Sequence, residues 1–578
     1  MDKISVNNAE WRVNDLYDGS SDYKILCQSF PEIVARVLVN RGIGVGNVDE
    51  FMYPKLSRHL LTPFALEDME KAALRLAKAI TDKEKVFIFG DYDVDGATSA
   101  SVLSLFLRYF GIETEVKIPE RDEGYGPNAD MMSTIKKRGY GLVFTVDCGT
   151  TAFEMIDNAA KEKLDVIIVD HHQLAPVIPN VYAFVNPKRK DEENNPYYNM
   201  AAVGVVFLLI VAVNAKLREQ GIYKNEIKEP DIRNLLELVA LGTICDMVCL
   251  RGINRTLVKT GLSYFGYNAG LRALSKNLVK GSVRAYHMGF ILGPRINAAG
   301  RVGSSSLGFK LLNSENETEA SNIVDELESL NALRREIEAA VMKEAVNAIE
   351  SSLKPNDNVI IVGSKNWHQG VIGIVAGKLR ERYGLTTLVL SYSDDGIAKG
   401  SGRSNDSIDL GYAVTKAVEM GILEKGGGHM KAAGFSIRED KINDFKIFLE
   451  NMIKEKSEVV PKVLDVDAII DVKGIDCNLA EALNLLEPYG EGNPEPLFML
   501  KDVILSHYRI FKENMMIVTL KSLGGRNVIA KLFRQSNCNL FDRLSVAKNS
   551  RMDVVGYVKI SEYRDKKGVD FILVDAKI

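Results

Sequence analysis

KVFIFGDYDVDG (85–96) is the stretch from which the fold is read: a short apolar run, KVFIF, stops at a glycine and delivers three carboxylates, Asp91, Asp93 and Asp95. The arrangement recurs downstream. TEVKI (114–118), LVFTV (142–146), DVIIV (165–169) and AFV (183–185) are similar runs, separated by stretches of helical periodicity at about 98–110, 129–137 and 153–162. Continuous β-branched runs alternating with helices describe βαβ units, and a parallel sheet buried on both faces. A second alternating region starts at NVIIVG (358–363), passes through TTLVLS (386–391) and ends near residue 456.

Between them, LESLNALRREIEAAVMKEAVNAIESSL spaces apolar residues at three and four positions within a helix expected from about 317 to 353. The last region reads as five strands, PLFMLKDVILSHYRI, MMIVTLK, NVIAKLF, MDVVGYVKISEY and VDFILVDAKI, which suits a small barrel of the OB type. The expected fold class is α/β, with two α/β lobes joined by a long helix and a C-terminal β-barrel. The expected divisions are a helical N-terminal segment over 1–75, a first lobe over 76–315, the connecting helix over 316–353, a second lobe over 354–460 and the barrel over 461–578. The first segment carries no chemistry. RGIGVGNVDEF (41–51) within it reads as a turn between helices, and residues 1–40 are expected only to pack on the first lobe.

Composition narrows the function. A chain of 578 residues exceeds one core, and 46% hydrophobic with 26% charged residues is ordinary for a globular protein. No run approaches the roughly 18 apolar residues of a membrane span, and MDKISVNNAEWRV lacks the apolar core of a signal peptide. Cys27, Cys148, Cys245, Cys249, Cys477 and Cys538 form no CxxC pair, which disfavours thiolate zinc sites and disulfide scaffolds. A cytoplasmic protein without a membrane partner is expected. Charge is uneven: residues 501–578 hold 15 Lys and Arg against 8 Asp and Glu, a net +7 that leaves −11 on the rest of a chain whose total is −4. A basic module on an acidic body is a footprint of nucleic acid, although basic faces are often merely solvated.

The chemistry gathers where apolar runs end. Beyond Asp91, Asp93 and Asp95 there are Asp147 after LVFTV, Asp170-His171-His172 after DVIIV, and Asp246 at the end of LGTIC. Ligand sites of open α/β sheets lie at the carboxyl ends of the strands, so these positions can converge. Clustered carboxylates repel and raise one another's pKa, a conflict a divalent cation resolves; mixed Asp and His donors suit Mn²⁺ or Mg²⁺. One Asp after a strand is more often a cap or turn residue, and DYDVDG imitates an EF-hand, but position 12 of that loop would be Val102. Two adjacent histidines in a chain with only seven are harder to explain as filler. The second lobe offers KGSGRS (399–404) and GGGHMKAAG (426–434), where Ser401, Arg403, Gly427 and His429 could grip phosphate through backbone N–H groups and charged donors. His368 in WHQG and Arg295, Asn297 and Arg301 in GPRINAAGR (293–301) are further candidates for a nucleic-acid backbone.

DYDVDG, VDCGT, VDHH and GTICDMV resemble the four motifs of the DHH phosphoesterase superfamily, and GGGHMKAAGF resembles its DHHA1 partner domain. GPRINAAGR, WHQGVIGIVAGKL, SGRS and PYGEGNPEPLF (488–498) are similar to the branch of exonucleases that digest single-stranded DNA. The likeness runs from about residue 41 to the C-terminus. It implies a two-metal site with Asp93, Asp95, Asp147, His171 and Asp246 as ligands and Asp147 as bridge. It implies that Asp91, Asp170 and His172 support that site or touch the scissile phosphate, and that Arg403, His429 and Arg295 bind phosphate. It further implies a 5′→3′ exonuclease in DNA repair and recombination that releases mononucleotides, with single-stranded DNA fed by the OB domain. A single-strand-binding protein and a helicase stay open as protein partners. On the barrel, Tyr508, Phe511, Phe533 and Tyr557 are stacking candidates, each more often explained as core.

Two rivals share parts of this pattern. A phosphodiesterase of oligoribonucleotides, cyclic dinucleotides or pyrophosphate would have the same lobes, but does not need the basic C-terminal module. A non-catalytic scaffold, as in the degenerate relative in the eukaryotic replicative helicase, does not need every Asp and His intact.

Overall fold

Why three distant acids can meet is settled by strand register. In the computed structural model, which describes residues 5–60, 62–121, 131–174, 177–189, 195–224, 227–354, 357–455, 462–511, 514–534, 538–563 and 566–578, the five expected runs form one all-parallel sheet. Its order is Thr114–Lys117, Val86–Gly90, Leu142–Val146, Asp165–Val169, Ala183–Val185. Gly90 pairs with Val146, Val146 with Val169, and Val169 with Val185. The four strands therefore end flush, and the residues that follow, Asp91, Asp147, Asp170 and Asn186, stand side by side along one edge.

The sheet is covered on both faces, as its unbroken apolar runs require. Val86 and Ile88 face a large core shared with the helices Met69–Thr81, Val94–Tyr109, Ala202–Glu219 and Leu236–Cys245. Phe87 and Phe89 face the other way, against Met132 and Ile135 of Met131–Lys137 and Met155, Ile156 and Ala159 of Phe153–Lys161. The helix expected from 129 is described only from Met131, and its first two residues lie outside the described ones. The helix expected from 98 starts earlier, at Val94, because Asp93 caps it by accepting a hydrogen bond from Gly96 N at 3.0 Å.

The chain divides into two compact units. One is Tyr53–Arg335 with Pro488–Pro494; the other is Met1–Met52, Glu336–Glu487 and Glu495–Ile578. The helix Glu317–Ser352 is continuous across the division. The second unit holds a mixed sheet, ordered Lys425–His429, Ala432–Arg438, Ile397–Arg403, Thr386–Tyr392, Val359–Ser364. KGSGRS and GGGH, glycine-rich as they are, lie in strands here. It also holds the five C-terminal strands. Phe498–Phe511 pairs with Met515–Lys521, which pairs with Asn527–Phe533, then Lys566–Lys577, then Arg551–Tyr563, which returns to Phe498–Phe511 and closes the ring.

The N-terminal segment differs from its expectation. Helices flank the turn at 41–47, but residues Ala9–Val13 form a strand, parallel to Lys462–Val466. Trp11 sits in a core with Val466, Leu497, Met499 and Val555, and its indole N–H donates to Asp575 Oδ2 at 3.1 Å. These residues thus pack on the C-terminal module. The helix Met69–Thr81, which a boundary at 75 would cut, belongs to the first unit's core. No described helix is long and apolar enough to cross a membrane. Trp11→Ala should remove about 3–5 kcal/mol from the second unit, read as an earlier urea transition for that unit; an unchanged transition would mean the N-terminal strand is dispensable.

Candidate metal centre

Each acidic side chain is aimed by a different local device. Asp93 caps the helix Val94–Tyr109, and Asp95 lies in its first turn. Gly96 is required there, because a Cβ would fall 2.4 Å from Asp91 O. Asp95 is held by two backbone donors at the start of Ala202–Glu219, Ala202 N at 2.7 Å and Val203 N at 3.0 Å. Asp147 turns out of its strand in a left-handed conformation, φ +59°, while its N–H still donates to Val169 O at 3.1 Å. Asp246 closes the helix Leu236–Cys245 as its C-terminal cap.

The result is three overlapping groups of ligand atoms, each spanning no more than 4.8 Å: Asp95 with His171 and Asp246, Asp147 with His171 and His172, and Asp91 with Asp93 and Asp147. His171 Nε2 lies 3.4 Å from Asp147 Oδ1, 3.6 Å from Asp246 Oδ2 and 3.9 Å from Asp95 Oδ2. Asp147 and His171 each belong to two groups. Asp91 stands within a ligand-sized group, whereas its motif suggested a supporting place. Asp170 is different. Its oxygens accept from Thr150 Oγ1 at 2.6 Å and N at 3.2 Å, from His171 N at 2.7 Å and His172 N at 3.2 Å, and from His172 Nδ1 at 2.7 Å. It therefore orients the histidines rather than facing the centre.

Electrostatics separates these roles. Burial, then Asp93, lifts Asp91 to about 8, and the same two causes lift Asp246 to about 7. Burial, then neighbouring carboxylates, pushes Asp95 and Asp147 well above the usual range. Burial and the charge of His172 push His171 down to about 3, which keeps it a neutral donor. Burial opposes charge on both Asp170 and His172, yet their mutual hydrogen bond outweighs it: Asp170 stays below its usual range and His172 rises to about 9. Four carboxylates that ionise only with difficulty, three of them around one neutral imidazole and the fourth beside Asp147, fit a divalent cation pair. Asp91 Oδ1, buried and without a hydrogen-bond partner among the described residues, is a further sign of that fit.

Two basic residues escaped the sequence reading. Arg121 lies 4.2 Å over the Tyr92 ring, donates to Gly300 O at 3.1 Å and lowers the pKa of Asp91. Lys188 follows the edge strand Ala183–Val185, is held beside Asp170, Asp147 and Asp246, and has its own pKa lowered by burial. Both directly follow or nearly follow a strand end, which is the signal that could have found them.

The other candidates divide by unit. Arg295, Asn297 and Arg301 lie on the helix Gly293–Val302 of the first unit, where Arg295 pairs with Glu328 at 2.5 Å and donates to Ile291 O at 2.7 Å. His368, Ser401, Arg403, Gly427 and His429 belong to the second. His368 caps the helix Gln369–Tyr383, accepting from Gly370 N at 3.0 Å. A Cβ on Gly373 in that helix would fall 3.0 Å from Ser401 Oγ and 3.2 Å from Arg403 Nη2, so the first turns adjoin both residues. Burial lowers the pKa of Arg403, and among the described residues it has no acidic partner, only Ser401 Oγ at 3.1 Å and Gly402 O at 2.8 Å. A half-buried guanidinium beside a helix N-terminus is built for an anion. Gly427 and His429 lie on the exposed edge strand Lys425–His429, and nothing within 4 Å would obstruct a Cβ at Gly427.

Three family models match in order along the chain: the DHH family N-terminal domain over 85–243, the DHHA1 domain over 356–455 and the RecJ OB domain over 466–575. The single-stranded-DNA-specific exonuclease RecJ of Dickeya dadantii is 32% identical over 563 residues, covering 95% of this chain and 96% of the relative. The chain belongs to the RecJ family. RecJ of Bacillus subtilis is also 32% identical, over 94% of this chain and 68% of its own. Among solved structures, RecJ from Thermus thermophilus in complex with Mn²⁺ aligns with a TM-score of 0.81 at 26% identity, covering 99% of this chain and 80% of that one. A second structure of the Thermus protein is a complex with Mg²⁺.

The raised pKa values predict the behaviour of chelated protein. Between about pH 6.5 and 8 the unfolded carboxyls are already ionised and unfolded His172 is neutral, while the folded forms still release protons. Folded protein binds more protons, so stability falls as pH rises through this window. The Tm of chelated protein should drop several degrees from pH 6.5 to 8. Mn²⁺ at about 100 times its Kd should restore ~2.7 kcal/mol per ion. A flat Tm–pH profile without metal would contradict the assigned electrostatics.

Proposed function

We propose that this protein is a 5′→3′ exonuclease that degrades single-stranded DNA to mononucleotides by phosphodiester hydrolysis with two divalent cations, Mn²⁺ or Mg²⁺. The observation that carries the reading is the overlap of three ligand-sized groups through Asp147 and His171. Asp93, Asp95, Asp147, His171 and Asp246 would hold the cations, with Asp91 beside Asp93 and Asp147. When bound, such a pair lowers the pKa of water and neutralises charge developing on the phosphoryl group.

The chain's own residues supply the rest. Asp170 accepts a hydrogen bond from His172 Nδ1, which fixes the orientation of the ring and leaves its Nε2–H for a phosphate oxygen or the leaving group. Arg403, Ser401, His368, Gly427 and His429 bind the phosphates of the strand, as do Arg295, Asn297 and Arg301. Arg295 first has to loosen its pairing with Glu328.

The barrel presents a surface suited to single strands. Phe511, Met515 and Phe533 stand opposite one another across three strands, and in the same way Arg509, Ile517 and Lys531 form a second row. Phe511 and Phe533 are exposed, so base stacking is available to them beside Arg509, whereas Lys531 is paired with Asp570. Tyr557 is largely buried beside Trp11, and Tyr508 donates to Ser545 O at 2.7 Å, which makes both structural. A cytoplasmic role in DNA repair and recombination, with a helicase or a single-strand-binding protein supplying the strand, follows from the same reading.

The decisive experiment is digestion of a single-stranded DNA oligomer with Mn²⁺, labelled at either end. Immediate release of a 5′-labelled mononucleotide and a shortening 3′-labelled ladder are expected. Asp147→Ala should abolish both with an intact fold. Turnover of dinucleotides or short RNA without DNA cleavage would favour a small-nucleotide phosphodiesterase instead. Phe511→Ala combined with Phe533→Ala should weaken binding of long single strands by about 1–3 kcal/mol per stacked base lost, measured by fluorescence anisotropy. Unchanged affinity would leave the barrel face without a role in the strand.

A further inference from the structure

PYGEGNPEP, within the segment that resembles the exonuclease branch, has no place in the chemistry above. Yet Pro488–Pro494 belongs to the same compact unit as the metal centre, while the chain on either side of it belongs to the other. Its partners explain this. Asp246 sits in a short connection between the helices Leu236–Cys245 and Gly252–Ser263, and Met247 immediately after it is left-handed, φ +56°. A connection of this kind has few backbone bonds of its own to hold it.

The segment supplies them. Leu250 N donates to Glu491 O at 2.7 Å, Arg251 Nε to Gly492 O at 2.9 Å, and Arg255 Nη1 to Pro488 O at 3.3 Å. Arg255 is only 1% exposed, so a full guanidinium has been buried to reach this backbone. The segment is itself rigid: Gly490 and Asn493 exchange N–H···O bonds of 3.0 and 3.1 Å, and Asn493 Nδ2 donates to Pro488 O at 2.8 Å. It lies close. A Cβ on Gly490 would fall 2.7 Å from Leu250 Cδ1, and one on Gly492, where φ is +71°, would fall 2.2 Å from Cys249 Sγ.

The bonds continue inward. Asn254 Nδ2 donates both to Cys249 O at 3.0 Å and to Asn199 O at 2.7 Å. Asn199 lies just ahead of Ala202 and Val203, whose N–H groups fix the Asp95 carboxylate. One network thus runs from the segment to the backbones that carry or hold Asp246 and Asp95, the two acids grouped with His171.

We propose that Pro488–Pro494 is a positioning strap for the metal centre, which holds the 247–251 connection so that Asp246 meets Asp95 and His171. The inference rests on the reading of Asp246 as a ligand. Groups that orient metal ligands without touching the metal are typically worth about 10–100-fold in metal affinity. The test is Mn²⁺ binding by the full chain, followed by calorimetry and by electron paramagnetic resonance of the free ion, which needs no turnover.

Gly492→Ala, which strains the left-handed turn and crowds Cys249, should weaken Mn²⁺ binding about tenfold. The milder Arg251→Ala should weaken it less. In both, kcat at fixed Mn²⁺ should fall and recover as Mn²⁺ is raised, with KM for the single strand unchanged. Leu274→Ala, a core truncation in the same unit, serves as a variant of comparable Tm loss and should bind Mn²⁺ like the parent. Parental Mn²⁺ affinity in Gly492→Ala would overturn the strap, as would an equal loss of affinity in Leu274→Ala. Strong Mn²⁺ binding by the parent protein with no DNA hydrolysis would instead remove the proposed activity and leave the strap standing.

Discussion

Asp95, Asp147 and Asp246 are pressed around one neutral imidazole with Asp91 beside Asp147, and the mutual repulsion of these four acids is the constraint to which the first unit is built. Left to themselves, buried carboxylates would move apart or stay protonated, and three of the four are at most 5% exposed. The structure prevents separation by spreading the acids over elements that cannot move independently. Asp91 and Asp147 leave strands of one sheet in fixed register, Asp95 is clamped by two peptide N–H groups, and Asp246 is held from outside its own helix pair. Protonation is what remains, and it explains the upward pKa shifts. Asp170 makes the contrast clear: equally buried and next door, it stays ionised because Thr150 and two histidines satisfy it. Burial sets the problem for both kinds of carboxylate, and hydrogen-bond partners decide which way each goes.

What could be read without coordinates follows from the same physics. Strands buried on both faces must be continuously apolar, so KVFIF, LVFTV and DVIIV show themselves in one dimension, and a flush parallel register then brings their following residues together. The long helix was equally legible through its periodicity. Asp246 was legible as the end of an apolar run and through its motif, although the run before it is a helix and not a strand. The glycine runs misled in the opposite direction: KGSGRS and GGGH look like loops because glycine disfavours strands, yet both are strand segments, one shielded and one at an edge.

Other features were illegible because they depend on partners far away in sequence. AEWRV alternates apolar and polar residues, but so short a run becomes a strand only with Lys462–Val466 beside it, and nothing about Trp11 points to Asp575. Arg121 and Lys188 carry no motif; only their positions past strand ends bring them near the acids. PYGEGNPEP was recognisable as a family segment, but its glycines make sense only against Leu250 and Cys249, more than two hundred residues earlier.

The two units also carry opposite unsatisfied charges. The first concentrates buried carboxylates suited to cations, and the second buries part of Arg403 beside a helix N-terminus with no acid to pair it among the described residues. Either feature alone is a standing cost that natural selection would tend to remove by substitution to a neutral residue. The anionic oxygens of phosphodiesters suit the guanidinium of the second unit, just as divalent cations suit the acids of the first. Small phosphate substrates would do so as well. What would separate a polymer from them is the barrel, whose exposed Phe511 and Phe533 offer faces for stacking bases. On the proposed reading, the acids and Arg403 therefore select the phosphodiester, and the aromatic face selects the single strand that carries it.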